Sequence, residues 1–95
     1  MAATQILASG TTAARSSVVS LADGASSNLV VFVASGNIPA DAIYDVFIQT
    51  SAGNPTLFKR MTGGDFTAHI SGPGDVYADR VYAGAAGTPS GIDKN

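Results

Sequence analysis

The sequence predicts an all-β protein, one sandwich of about seven short antiparallel strands. Three observations predict it. All seven acidic residues are aspartate, a cap and turn residue, and glutamate, a good helix former, is absent. Short apolar runs alternate with clusters of Gly, Pro, Asp and Asn, the punctuation of turns. The run from Ile43 to Thr50 is rich in β-branched and aromatic residues and alternates at the period of a strand.

That run is the expected central strand. Tyr44, Val46 and Ile48 fall on one face, with Asp45, Phe47 and Gln49 on the other. The Tyr44 face is read as inward, because Asp45 and Gln49 would need buried partners if turned the other way. Phe47 is then an aromatic on the outer face.

Taken in order, Thr4 to Ser9 is a first strand with Ile6 and Leu7 as its large apolar residues. A strand so short pairs at a sheet edge or leaves the domain, so residues 1–10 are read as a possible N-terminal arm. Ser16 to Leu21 is a second strand, with Val19 and Leu21 on one face. Asp23-Gly24 then signals a turn. Asn28 to Ala34 carries the run Leu29-Val30-Val31-Phe32-Val33, which fits a strand buried on both faces or covered by a partner. The stretch Ser35 to Ala42 is the longest connection and is expected to cross between sheets.

After the central strand, Ser51 to Pro55 closes a hairpin into a strand from Thr56 to Met61. Each face of that strand carries one cation, so its inward face stays open. Thr62-Gly63-Gly64-Asp65 and Ser71-Gly72-Pro73-Gly74 read as hairpin turns around a strand with Phe66, Ala68 and Ile70 inward. Asp75 to Ala83 reads as the last strand, and 84–95 as a loose, glycine-rich tail. Strand centres fall roughly 10–16 residues apart, near the spacing of sandwiches. The expected architecture is one Ig-like or Greek-key domain over 1–95, with a small barrel or jelly roll as the alternative.

Composition narrows the function. The chain has 95 residues, enough for one core but little room for a deep cleft. Without cysteine there is no disulfide or thiolate metal site, so further stability would come from oligomerisation or docking. The net charge is -2 and the five basic residues are scattered, so no phosphate-binding stripe forms and nucleic acid is not an expected partner. No run reaches the roughly 20 apolar residues of a membrane helix. The start Met1-Ala2-Ala3-Thr4-Gln5 lacks a signal's basic and apolar regions, which places the expected product in the cytosol.

Chemical motifs are sparse. His69 is the single histidine, read as an outward strand residue, with Ser71 and Asp75 nearby but no nucleophile elbow. Asp41 and Asp45, like Asp75 and Asp79, are four apart. In a strand that spacing separates carboxylates by about 13 Å, too far to share one ion. The glycine turns lead into strands rather than helices, so they are not phosphate loops. The reading is no catalytic residue, no metal and no cofactor. Tyr77, Tyr82, Phe58 and Phe66 offer a weaker carbohydrate-binding alternative.

Thr62-Gly63-Gly64-Asp65-Phe66-Thr67-Ala68, followed by Ser71-Gly72-Pro73-Gly74-Asp75-Val76-Tyr77-Ala78-Asp79-Arg80, resembles small virion proteins of tailed bacteriophages. Met1-Ala2-Ala3-Thr4 and Leu21-Ala22-Asp23-Gly24 are similar in style. The likeness is strongest from Thr62 to Arg80 and rests on turn residues. It implies a capsid decoration (cement) protein that binds the major capsid protein on the outside of the shell. It also implies a homo-oligomer, a trimer favoured, assembled in the host cytoplasm. Another virion part, such as a tail, neck or fibre module, is the alternative. The pattern itself nominates the contact residues: Thr4, Gln5 and Ile6 on the arm, with Phe47 and Phe58 as outward aromatics.

Overall fold

Burial alternates residue by residue along 26–31 and 67–71 in the computed structural model, which describes residues 3–50 and 52–95. The elements are β1 (Thr4–Gly10), β2 (Ala14–Arg15), β3 (Val19–Leu21), β4 (Ser26–Val33), β5 (Ile43–Gln49), β6 (Thr56–Met61), β7 (Thr67–Ser71), β8 (Gly74–Tyr82) and β9 (Ser90–Lys94). They form two antiparallel sheets packed face to face. One has the order β1-β9-β4-β7, and the other β2-β8-β5-β6 with β3 also on β8. The all-β sandwich is as expected, with nine strands among the described residues instead of about seven. No helix there is long and apolar enough to cross a membrane.

The core lies between the sheets. Leu29 and Ile92 enter it from one side, and Tyr44, Val46 and Val76 from the other, all at 0% exposure. Each such side chain contributes about 1.5–3 kcal/mol of burial. Tyr44 is long enough to cross the layer, and its hydroxyl meets Ser90 Oγ at 2.6 Å. Of the second expected strand, Ser16 to Leu21, only Val19–Leu21 forms; Ala14–Arg15 pairs separately before it, and Ser16 between them turns inward. Its hydroxyl accepts the Ala78 amide and donates to the Ser17 carbonyl.

Most connections carry the chain from one sheet to the other; β5–β6 is a true hairpin. The crossing at 34–42 is as expected. The turns at Thr62–Asp65 and Ser71–Gly74, expected as hairpins, also change sheets: β6 and β8 lie in one, β7 in the other. Local turn chemistry is the same for both outcomes, and the core side chains of β7 choose between them. Gly72 must be glycine here, since a Cβ would lie 2.4 Å from the Ala22 carbonyl oxygen.

Both ends are corrected. Residues 84–95 are not a loose tail, because β9 is an internal strand flanked by β1 and β4. Nor does Thr4–Gly10 form a free arm; β1 takes the sheet-edge position that the sequence also allowed. Thr4 pairs with Lys94 and Leu7 with Ile92, and register breaks let Ile6 and Leu7 both reach the core. Met1 and Ala2 of that arm, and Ser51 of the hairpin loop, lie outside the described residues.

Candidate interaction face

The outer face of the sheet β2-β8-β5-β6 gathers the unusual side chains of the molecule. Register places them in rows that cross the strands. In one row, Arg15 pairs with Asp79, Asp79 with Asp45, and Asp45 with Arg60. The next row joins Tyr77 to Phe47 and Phe47 to Leu57.

The charged row is closed on itself. Arg15 Nε and Nη2 donate to the two oxygens of Asp79 at 2.8 and 3.1 Å. Arg60 does the same to Asp45 at 2.7 and 2.9 Å. Such forked pairs are the geometrically specific form of this interaction. Hydrogen bonding to the partner carboxylate raises the pKa of each guanidinium above its ordinary value. Both arginines are solvent-exposed, and the carboxylates lie lower.

The aromatic row is covered as far as this chain can cover it. Phe47 and Tyr77 stack with centroids 5.3 Å apart, and the Arg15 guanidinium lies 4.4 Å above the Tyr77 ring. Cation–π contact of this kind favours the charged arginine over the ring. Tyr77 is buried as a result, while Leu57 (49%) and Phe58 (46%) remain open at the strand edge. A register break between Val46 and Phe47 leaves Phe58 without a partner on β5. Beside Arg15 and Asp79, a shallow depression of about 430 Å³ is lined by Ala13, Ala14 and Val81.

The structure distributes the nominated contact residues unevenly. Phe47 lies on the outer face, half-buried against Tyr77, and Phe58 is exposed on the neighbouring strand. Thr4 and Gln5 are exposed on the other sheet's edge strand, remote from the aromatic row. Ile6 is a core residue and is not available to a partner. Arg15, Asp79, Tyr77 and Leu57 were not legible as members of a face, because sheet order, a two-residue strand and a bulge fix their neighbours.

The candidate chemistry of the sequence is taken up locally. His69 Nδ1 bonds Asn28 Oδ1 at 2.8 Å on the outer side of the sheet containing β4 and β7. Asp75 belongs to the other sheet and accepts from Ser20, so it does not meet His69. Asp41 accepts the Ala85 amide. Among the described residues, no group of His, Cys, Asp and Glu is arranged to hold a metal ion.

Arg80 is the buried exception, at 4% exposure. Its Nε donates to the Thr12 carbonyl at 2.6 Å, and its Nη1 to those of Ala8 and Ser90 at 3.1 and 2.8 Å. It ties β1, the loop to β2 and the start of β9 together. Gly10 leaves it room, since a Cβ there would lie 2.7 Å from Nη2. Its role is therefore structural.

Comparison of the chain with protein-family profiles, with characterised proteins and with solved structures finds no match.

Proposed function

We propose that this protein is a structural virion component that decorates a bacteriophage capsid by binding the outside of its major capsid protein shell. The reading starts from the resemblance of Thr62–Arg80 to small phage virion proteins. The observation that supports it is the outer face of the sheet β2-β8-β5-β6. The row Tyr77–Phe47–Leu57 runs beside charges that already satisfy one another. A partner can cover such a face without stranding an ion, which is the usual obstacle to burying charge. An open sugar-stacking platform fits less well, because Arg15 occupies one face of Tyr77. Multivalent attachment then adds several modest contacts into stable binding through effective concentration.

The test is cosedimentation of the purified protein with expanded shells that lack it. Saturable binding at a stoichiometry matching the symmetry positions of the lattice is expected. Phe47→Ala should weaken it roughly tenfold or more, as loss of a central aromatic anchor does. Failure of folded, soluble protein to bind would overturn the reading and shift it to a tail, neck or fibre location.

A further inference from the structure

We propose that two copies of this chain associate antiparallel along the edge of β6, about a two-fold axis between Leu57 and Phe58. The inference is independent of the capsid reading and comes from the four sheet edges. β1 has two register breaks against one in β6, and the β2–β3 edge is interrupted at 16–18. The β7 edge is obstructed where Lys59 crosses to the Thr67 carbonyl at 2.7 Å. β6 ends its sheet and exposes both Leu57 and Phe58 beside a backbone row that no described strand pairs. Such an edge is a template for another strand.

The side-chain order of β6 selects a second copy. Leu57 and Arg60 belong to the outer face, opposite Phe47 and Asp45. Lys59 and Thr56 belong to the inner face, opposite Val46 and Ile48. The bulge at Phe58 switches the alternation between these halves. A two-fold axis between Leu57 and Phe58 therefore sets Leu57 opposite Phe58 of the second copy and Thr56 opposite Lys59. Arg60 then meets Pro55, which has no N–H to leave unpaired. No like charges face each other, and Lys59 is already held by Asp65 at 2.9 Å. Face-to-face pairing lacks this fit. The order Arg15, Asp79, Asp45, Arg60 reads the same from either end, so a symmetric stack in register sets like charge on like. Isologous contacts of this kind close as dimers.

Two measurements test it. Sedimentation equilibrium should give a concentration-dependent dimer, with Phe58→Asp weakening association at least about tenfold while thermal unfolding of the monomer is retained. A monomer at all concentrations, or a trimer, would overturn the proposal. The absence of native cysteine permits a second test. On oxidation, a mixture of Leu57→Cys and Phe58→Cys proteins should form a mixed disulfide, since directly opposed residues lie within bridging distance. Cross-linking no faster than a mixture of Val18→Cys and Val81→Cys would also overturn it.

Discussion

Asp45 on β5 and Asp79 on β8 are direct cross-strand partners, and each is neutralised from its outer side by an arginine of the next strand. Two carboxylates opposed in this way repel. The forked bonds from Arg60 and Arg15 make the arrangement tolerable, so the four residues act as one unit across four strands. The Asp45 side chain is the more buried acid, at 10% against 24% for Asp79. Arg60→Ala is therefore expected to lower the melting temperature more than Arg15→Ala. Asp45→Asn in the Arg60→Ala background should recover most of the loss, because it removes the repulsion and the stranded charge together. Thermal melts of the single and double variants check this, and a double variant no better than Arg60→Ala would reject the coupling.

Arg80 illustrates a different use of charge. It is buried without a carboxylate and is held by three carbonyl oxygens from separate segments. Arg80→Met keeps the volume and the apolar stem but leaves those carbonyls unpaired. A loss of about 2–4 kcal/mol in urea denaturation is expected. Arg80→Lys keeps the charge without the planar fork, and should fall between wild type and the methionine variant. Equal stability of all three proteins would show that the clamp contributes nothing.

The strands with apolar alternation were legible in the sequence. Val46 and Ile48, Ala68 and Ile70, and Val19 and Leu21 all point where their period places them. β9 was not legible, for a physical reason. Ser90, Gly91, Asp93 and Lys94 have weak strand preference, and Ile92 alone supplies an apolar anchor. Pairing on both edges overrides that local composition, as tertiary context does for β propensity. The interaction face was half legible: alternation turns Phe47 outward, but only sheet order shows that Tyr77 and Leu57 lie beside it. Turn residues such as Gly63-Gly64 announce a reversal without saying which sheet receives the chain.

The internal position of β9 makes its glycine testable. A Cβ on Gly91 would lie 2.4 Å from the Leu7 carbonyl oxygen and 2.7 Å from the Phe32 ring. Phe32 can turn aside, but the Leu7 backbone is fixed in β1. Gly91→Ala should therefore cost about 1–3 kcal/mol by chemical denaturation, the usual range for overpacking. Removing residues 90–95 should abolish cooperative unfolding, since β1 loses its partner and the core loses Ile92. A cooperative, unshifted transition in the truncated chain would mean that β9 is not part of the folded unit.

The bond between Tyr44 and Ser90 joins the two sheets through the core and separates satisfaction from mere burial. Both side chains are fully buried, and the hydroxyls lie 2.6 Å apart. Tyr44→Phe removes one hydroxyl and leaves Ser90 Oγ without that partner, so a cost of about 1–2 kcal/mol is expected. Ser90→Ala should cost a similar amount, because the buried tyrosine hydroxyl is then unpaired. The Tyr44→Phe/Ser90→Ala protein removes both polar atoms and leaves no orphan. It should lose less than the sum of the two single changes, with a coupling of about 1 kcal/mol. Strict additivity in urea denaturation would mean that water or another group satisfies the remaining hydroxyl in each single variant. In that case the two sheets are held at this point by packing of the Tyr44 ring rather than by its hydrogen bond.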